Sequence, residues 1–265
     1  MFTVKIMDKI AVISFSGGLD STSLLLNLIS KNYKVHALLF NYGQKHKIEL
    51  IKAEHNINFL IKKGYNIDFK LLDISDAISI LKSSLTNDDD NIPYGYYKSE
   101  NMKSTVVPNR NAIFTSFAYA FALTLNKKYN TEVDIALGVH SGDHEIYPDC
   151  REGFYKKLFI ALREGNWDSE NINLHLPYLN FTKSEIIKDA INSCRTLNLD
   201  FKKIFANTIT SYEPNSSGIS NGKTASDIER ILAFHEVGIE DPLKYSQPWP
   251  KVLSNAMELE KEYRK

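Results

Sequence analysis

The sequence predicts an α/β protein with a parallel five-stranded sheet, helices on both faces of the sheet, and a small, mainly helical C-terminal region. Two observations carry this prediction. Short apolar runs of strand length alternate with longer segments of helical period along most of the chain, and such alternation is typical of βαβ units. Polar and glycine-rich residues come directly after the apolar runs, which is where open parallel sheets bind ligands.

The predicted strands are the apolar runs of strand length. They cover residues 10–15, 35–42, 67–74, 133–140 and 172–179. The segments of helical period predict helices over 20–30, 47–63, 110–125, 152–164 and 183–194. Residues 83–104 are predicted to be a long irregular excursion, and the tail ends in two predicted amphipathic helices, 225–237 and 252–264. We therefore expect a domain at 1–204 that holds the sheet and a helical region at 205–265.

Composition and charge indicate a cytoplasmic globular protein. The chain of 265 residues is 43% hydrophobic, and its 32 basic and 32 acidic residues give a formal charge of zero. A dedicated binder of nucleic acids or membrane surfaces usually has a basic excess, so we expect neither partner. No stretch reaches the roughly 18 apolar residues of a membrane-spanning helix, and the N-terminus lacks the apolar segment of a signal peptide. Cys150 and Cys194 are the only cysteines, which excludes a disulfide framework and indicates a reducing compartment.

The segment SFSGGLDST (14–22) joins the first predicted strand to the first predicted helix. Its two glycines allow backbone N–H groups to approach an anion closely, and the helix N-terminus adds a partial positive charge. Its serine and threonine hydroxyls can donate hydrogen bonds to phosphate oxygens. An aspartate beside a phosphate needs a magnesium ion between them, so Asp20 predicts a magnesium-bound phosphate. The alternative is a plain strand–helix turn in which Asp20 or Ser21 caps the helix.

The string SGGLDST resembles the pyrophosphate loop of the ATP-pyrophosphatase superfamily, the PP-loop enzymes. The resemblance implies the Rossmann-like fold of the adenine nucleotide alpha hydrolases. It also implies an enzyme that binds ATP, adenylates a carboxylate or carbonyl oxygen, and lets a nucleophile displace AMP. The implied ATP-binding residues are Ser14, Ser16, Gly17, Gly18, Leu19, Asp20, Ser21, Thr22, Phe40 and Gly138. A rival phosphate loop, GISNGKT (218–224), has three residues between its glycines where a Walker A loop needs four, and no buried strand precedes it, so we exclude it.

Three further segments narrow the resemblance to one family. NYGQKHKIEL (41–50), STVVPNRNAIF (104–114) and LGVHSGDHEIYPDCREGF (137–154) are similar to segments of the 7-cyano-7-deazaguanine synthase family (QueC), and the resemblance extends to DPLKY (241–245). It implies a ligase that adenylates 7-carboxy-7-deazaguanine with ATP and Mg²⁺ and converts the adenylate to an amide with ammonia. A second ATP-dependent activation dehydrates that amide to the nitrile. The resemblance also implies a homodimer.

The same resemblance implies roles for individual side chains. Asp20 (with magnesium and the ATP phosphates), Arg110 and Lys183 are the implied catalytic residues, because the charge of the leaving group must be balanced. The implied 7-deazaguanine pocket contains Tyr42, Gln44, Asn111, Asp143, Tyr147, Asp149, Cys150 and Arg151. The polar members suit the edge of a purine-like base, and the tyrosines suit its face.

Simpler structural interpretations stand beside several of these roles. Arg110 can instead pair with an acid near the start of its helix, and Tyr147-Pro148 can be an ordinary turn. For Cys150 we favour packing within the pocket segment over a nucleophilic thiol. For His140 and His144 we favour solvent exposure or polar contacts in the pocket over metal binding.

The tail departs from the pattern of the family it resembles. In that family four cysteines bind a structural zinc ion, whereas the corresponding positions here are Ser211, Asn221, Thr224 and Asp227. Neutral oxygen and amide groups with one carboxylate do not make a tetrahedral zinc site of useful affinity, so we expect no zinc. The segment that begins at His140 also differs from the asparagine-led segment of the family, close to the implied substrate site.

These departures leave the acceptor of the activated deazaguanine open. The first hypothesis is ammonia. The second is an amino group of a partner protein, because QueC-like proteins also occur in bacterial antiviral-defence operons. A third hypothesis is an inactive relative that only binds nucleotide, which the intact 16–22, Arg110 and 149–151 segments oppose. Thiolation of transfer RNA is a weaker alternative, because such enzymes bring RNA-binding parts and this chain has no basic excess.

Overall fold

A parallel sheet with helices on both faces forms the centre of the protein. The computed structural model describes residues 9–45, 47–81, 83–86, 104–142, 147–211, 215 and 217–263, so the predictions for Asp143 and His144 lie outside the described residues. The strands are β1 (Lys9–Ser14), β2 (Tyr33–Asn41), β3 (Ile67–Asp73), β4 (Val133–Ala136) and β5 (Ile172–His175). Their order is β3-β2-β1-β4-β5, and every neighbouring pair is parallel. The predicted five-stranded parallel sheet is confirmed.

The helices of the described residues follow the strands as the hydrophobic periods predict. They are α1 (Leu19–Ser30), α2 (Ile48–Lys62), α3 (Ser75–Ile78), α4 (Arg110–Tyr129), α5 (Glu152–Glu164), α6 (Lys183–Thr196), α7 (Phe201–Phe205), α8 (Ala225–Val237) and α9 (Trp249–Tyr263), and a 3₁₀ turn covers Pro148–Cys150. Among these helices none is long and apolar enough to cross a bilayer. Helices α8 and α9 make the described part of the tail mainly helical, as predicted, and α8 has the predicted bounds.

Two predicted strands are wrong at their C-terminal ends. The prediction ran to 140 and 179, whereas β4 ends at Ala136 and β5 at His175. After β4, the chain passes so close to α1 that a Cβ on Gly138 would lie 3.4 Å from the backbone of Asp20. After β5, Pro177 has no N–H with which to continue a ladder. Both segments leave the sheet at the edge where the site described below lies.

Alternate residues of the central strand face two different apolar clusters. Ala11 and Ile13 of β1 pack with α1, α2 and α6, whereas Ile10 and Val12 pack with α4 and α5, as the alternation of side chains along a strand requires. The first cluster also contains Phe205 and, from α8, Ala233 and Phe234. Part of the 205–265 region therefore packs on the core that supports β1.

The strand order places a crevice at the carboxyl ends of β1 and β4. β1 lies between β2 and β4, and the chain runs to opposite faces of the sheet after these two neighbours. Loops that diverge to opposite faces leave a gap between them, which is the usual ligand site of such sheets.

Candidate functional site

A cavity of about 290 Å³ opens at this crevice. Its lining includes Ser14 at the end of β1, Tyr42 after β2 and Gly138 after β4. Fourteen of the residues predicted from the sequence line it together: Ser14, Ser16, Gly18, Leu19, Asp20, Ser21, Tyr42, Gln44, Arg110, Asn111, Gly138, Tyr147, Cys150 and Lys183. The fold thus brings the implied ATP-binding and deazaguanine-binding residues to one cavity.

Five described residues of the predicted set lie outside the described lining. Gly17 lies within the loop itself, Thr22 is fully buried in α1, and Phe40 stacks on Phe114 with ring centroids 4.0 Å apart. Asp149 is half-buried in the 3₁₀ turn, and Arg151 is exposed. Phe40 therefore supports the lining through Phe114, and direct contact of Asp149 and Arg151 with a ligand stays a prediction.

The loop after β1 has the geometry of an anion site. Gly17 has a φ of +77°, and a Cβ there would lie 2.6 Å from the Cβ of Ala53, so both the backbone and the space behind it require glycine. α1 begins at Leu19, and within the described residues no side chain caps it at Gly18. Ser16 Oγ lies 3.1 Å from Ser21 Oγ, both on the cavity wall. The first-turn N–H groups and these hydroxyls face the cavity edge, where they suit a phosphate.

Lys183 is the basic group nearest to this loop. A capping box between Thr182 and Glu185 starts α6 at Lys183, whose side chain is only 6% exposed. Its ammonium donates a hydrogen bond to Asp20 Oδ2 at 2.8 Å and lies 2.8 Å from His140 Nε2. It also lies 3.2 Å from Glu229 Oε2, on α8.

The carboxylate of Asp20 is held in its ionised form. Burial raises the pKa of this group, but the charges of Lys183 and His140 and the hydrogen bond from Lys183 outweigh burial, so the net pKa is below the ordinary 3.8. Asp20 Oδ1 is buried and has no hydrogen-bond partner among the described residues. One oxygen of an ionised carboxylate is therefore left to bind a further group.

A second cluster lines the cavity beyond the loop. The Arg110 guanidinium lies 5.6 Å from the Tyr42 ring centroid. Burial raises the pKa of the neighbouring Glu49 to about 7, although Arg110 acts in the opposite direction. Glu49, which the sequence analysis did not select, follows the NYGQ segment in the first turn of α2, and its place just after a strand end was the signal that could have found it.

Several predicted pocket residues also bond to one another or to the backbone. Asn111 Nδ2 donates to Cys150 Sγ at 3.4 Å, and Tyr147 Oη lies 2.9 Å from Thr105 Oγ1. Gln44 Oε1 accepts from the Tyr42 N–H at 2.9 Å, and Gln44 Nε2 donates to a strand carbonyl at 3.3 Å. These bonds hold the walls of the cavity in place, and they use part of the hydrogen-bonding capacity of Gln44.

The C-terminal region completes the wall beside the phosphate loop. Ile209 N–H donates to Gly17 O at 3.4 Å, and Thr210 lines the cavity. The fully buried Arg230 donates to Thr210 Oγ1 at 2.9 Å and pairs with Asp241 Oδ2 and Oδ1 at 2.6 and 2.9 Å. This wall could not be predicted from the sequence, because nothing in the local pattern of the tail connects it to a loop near residue 17.

The positions that correspond to zinc ligands form a hydrogen-bonded cluster around Asp227. This fully buried carboxylate accepts from Ser211 Oγ at 2.9 Å, Ser220 Oγ at 2.7 Å and Thr224 Oγ1 at 2.6 Å, and also from the Thr224 N–H. Asn221, which the sequence analysis placed at the second position, instead accepts from the Lys223 N–H in a local turn. Burial raises the pKa of Asp227 despite these hydrogen bonds. No group of three or more histidine, cysteine, aspartate or glutamate side chains in the described part of the chain has the arrangement of a metal site.

Comparisons with known proteins agree with the resemblance described above. The family model described as "Queuosine biosynthesis protein QueC" matches residues 10–238, a segment that includes every described residue of the cavity lining. A protein of Colwellia psychrerythraea named 7-cyano-7-deazaguanine synthase 2 is 41% identical over 241 residues, which are 91% of this chain and 100% of that protein. A 7-cyano-7-deazaguanine synthase of Marinomonas sp. is 39% identical over 90% of this chain and 99% of that protein. The NMN synthetase of Francisella tularensis aligns with a TM-score of 0.41 and 16% identity, over 96% of this chain and 86% of that one.

Proposed function

Because the chain belongs to the queuosine biosynthesis QueC family, we propose that it is a ligase that adenylates 7-carboxy-7-deazaguanine with ATP and transfers it to ammonia. The products are the amide and then 7-cyano-7-deazaguanine. One observation carries the proposal: the Asp20–Lys183 pair and the anion-binding loop share one cavity with the polar and aromatic groups of Arg110, Asn111 and Tyr42.

ATP binds with its phosphates at the loop after β1. The first-turn N–H groups of α1 and the hydroxyls of Ser16 and Ser21 hold the phosphate oxygens. Lys183 and Arg110 balance the charge that moves onto pyrophosphate as it leaves. The remaining predicted ATP-binding residues shape the loop and the adenine side of the cavity.

Asp20 fits a magnesium ion. Magnesium prefers carboxylate and phosphate oxygens, and Asp20 offers a buried carboxylate oxygen that lacks a partner among the described residues. When bound with ATP, the ion neutralises phosphate charge and makes pyrophosphate a better leaving group. The protein's part is to keep Asp20 ionised, which the neighbouring Lys183 and His140 do.

The reaction proceeds through two activations. A carboxylate oxygen of the substrate bonds to the α-phosphorus of ATP, and pyrophosphate leaves. Ammonia then attacks the carbonyl carbon, AMP leaves, and a proton departs from the nitrogen. A second ATP is attacked by the amide oxygen with loss of pyrophosphate and a proton. The bond between the former amide carbon and its adenylated oxygen then breaks. AMP leaves with that oxygen, the nitrogen loses a second proton, and the nitrile remains.

The deazaguanine base occupies the part of the cavity beyond the loop. Tyr42 and Tyr147 offer faces for the ring. Asn111 and Glu49 supply a donor and acceptors for the edge of the base, and Gln44, Cys150, Asp143, Asp149 and Arg151 complete the proposed pocket. We extend the proposal to the division of the chain at 204/205, a homodimer and a cytoplasmic location.

The test is release of pyrophosphate and AMP from ATP in the presence of 7-carboxy-7-deazaguanine and ammonia, with products weighed by mass spectrometry. We expect Asp20→Asn to reduce pyrophosphate release at least a hundredfold while the protein stays folded by circular dichroism, whereas Asp76→Asn at an exposed position of α3 retains wild-type activity. Near-normal pyrophosphate release by Asp20→Asn removes Asp20 from the metal role. Absence of AMP release by the wild-type protein refutes the proposed function.

A second candidate acceptor is an amino group of a partner protein. Two departures from the family pattern favour it, His140 in place of the expected asparagine and the Asp227 cluster in place of cysteines. His140 lies beside Lys183 and Asp20, and the helix that carries Asp227 also carries Glu229, which contacts Lys183. Incubation with ATP, magnesium, ammonia and the carboxylate, with and without a candidate partner, separates the two acceptors. Free nitrile without a partner supports ammonia, and a mass gain on the partner supports conjugation.

A further inference from the structure

Lys183 lies between two carboxylates that come from opposite parts of the chain. Asp20 Oδ2, on α1, is 2.8 Å from the Lys183 ammonium, and Glu229 Oε2, on α8, is 3.2 Å away. His140 Nε2 is 3.9 Å from Glu229 Oε1 and 4.0 Å from Asp20 Oδ2. One cation is therefore shared by two acids, although a single acid is enough to neutralise it.

The two acids are not equivalent. Asp20 lies in the phosphate loop and lines the cavity, whereas Glu229 does not belong to the described lining. A magnesium ion on Asp20 competes with the lysine for the same carboxylate charge. If Asp20 were the only acid beside it, the nearly buried ammonium would then have no protein carboxylate to hold it in place and would depend on the phosphates alone. Glu229 supplies a second partner that does not move when the nucleotide binds.

The surroundings of Glu229 are built for this contact. A Cβ on Gly142 would collide with Glu229 Oε1 and would lie 2.7 Å from the His140 ring, so the absence of a side chain at this position lets the carboxylate approach. The Gly142 N–H donates to His140 Nδ1 at 3.0 Å and orients that ring. Ser226, one turn earlier on α8, lines the cavity, so this face of the helix is directed at the site.

We propose that Glu229 is a positioning residue that retains Lys183 in the nucleotide site while Asp20 is released to magnesium. The inference rests on the proposed function, since it requires ATP and magnesium at this loop. It assigns to α8 a part in loading the nucleotide. In the ligand-free protein the ammonium bridges both acids. In the loaded protein it pairs with Glu229 and remains within reach of the phosphates.

The test is calorimetric titration of the full chain with ATP, once with excess magnesium and once with a chelator. Removal of a negative charge near a polyanion ordinarily strengthens ATP binding under both conditions. For Glu229→Gln we expect weaker ATP binding in the presence of magnesium. Asp20 is then the one remaining carboxylate partner of Lys183 among the two acids, so it stays paired with the lysine and is less available to magnesium. The dissociation constant for magnesium-ATP rises about tenfold, whereas ATP in the chelator binds as tightly as to the wild type or more tightly.

Three further variants test whether the effect is specific to the Glu229 carboxylate and to its competition with Asp20. Glu236→Gln, exposed on the same helix, leaves both constants unchanged. Gly142→Ala, whose methyl group collides with the Glu229 carboxylate and also contacts the His140 ring, weakens magnesium-ATP binding in the same direction. When Asp20 is already asparagine, Glu229→Gln causes no further loss of the magnesium effect, because no carboxylate is left to be released.

The two dissociation constants of Glu229→Gln test the role proposed for Glu229. Magnesium-ATP binding by Glu229→Gln that equals or exceeds wild type overturns the inference, and equal weakening with and without magnesium reduces Glu229 to a structural role. If Glu229→Gln does not fold, Gly142→Ala decides by the same comparison. A wild-type protein that binds no ATP refutes the proposed function and the inference together. Binding of magnesium-ATP without reaction of the carboxylate refutes the proposed reaction alone.

Discussion

Replacement of Glu49 by glutamine should remove a pH dependence from the stability of the protein. Burial raises the pKa of this carboxyl from 4.5 to about 7 in the folded protein, and Arg110 opposes that effect only in part. A folded-state pKa above the unfolded one adds stability that is complete below pH 4.5 and is lost as the pH rises through about 7. The ionised carboxylate thus destabilises the wild-type protein at pH 8.

The expected loss of unfolding free energy follows from the difference between the unfolded-state and folded-state pKa of Glu49. Between 4.5 and about 7, at 1.36 kcal/mol for each pH unit, the loss amounts to about 3 kcal/mol. Glu49 is half-buried and lines an open cavity, so solvent screens it, and we expect roughly half of that value. Glu49→Gln should therefore match the wild type near pH 5 and exceed its free energy of unfolding by about 1.5 kcal/mol at pH 8.

The assay is urea unfolding followed by circular dichroism at pH 5.5, 6.5, 7.5 and 8.5. Glu54→Gln, on the same helix but outside the described cavity lining, is the matched control for removal of a carboxylate from α2. A Glu49→Gln difference that is constant between pH 5.5 and 8.5 refutes the reasoning, because the neutral side chain would then remove no titration in that range.

Three further predictions concern the turn at Gly17, the cluster around Asp227 and the metal content of the protein. Gly17→Ala should cost about 3 kcal/mol of unfolding free energy in urea, from the left-handed backbone and the contact with Ala53 together. Gly64→Ala, with a φ of +92° and nothing within 4 Å of the added Cβ, should cost only about 1 kcal/mol, and equal losses would contradict the packing argument. Asp227→Ala should cost about 3 kcal/mol, because three hydroxyls and an amide lose their acceptor, against about 1 kcal/mol for the exposed helix cap Asp200→Ala. Elemental analysis of the same preparations should find no stoichiometric zinc, and zinc at one equivalent would refute the metal-free account of this cluster.

The sheet and the strand–helix turn after β1 could be predicted because their signals are local. The apolar run of β1 and the string after it lie within thirteen consecutive residues, 10–22, so periodicity and turn chemistry suffice to locate them. The strand ends beyond Ala136 and His175 could not be predicted in this way. Residues 137–140 and 176–179 are as apolar as strands, and only tertiary contacts take them out of the sheet.

The site was predictable where its residues follow strands and unpredictable where they come from the tail. Tyr42 and Lys183 lie near strand ends, and the topology of a parallel sheet brings such positions together. Glu229 carries no such signal, because an acid on an amphipathic helix usually faces solvent. Its contact with Lys183 depends on how α8 packs against α6, which is set by side-chain packing over the whole tail rather than by local pattern.

The hydrogen bond from Ile209 to Gly17 has a consequence for how activity arises during synthesis. The ribosome produces the loop after β1 early, whereas Ile209, which bonds to that loop, and Glu229, which contacts Lys183, emerge much later. A nascent chain that has made only β1 to β5 carries the loop without these parts. We therefore expect the loop to gain this wall only when the C-terminal region has docked on the core that supports β1.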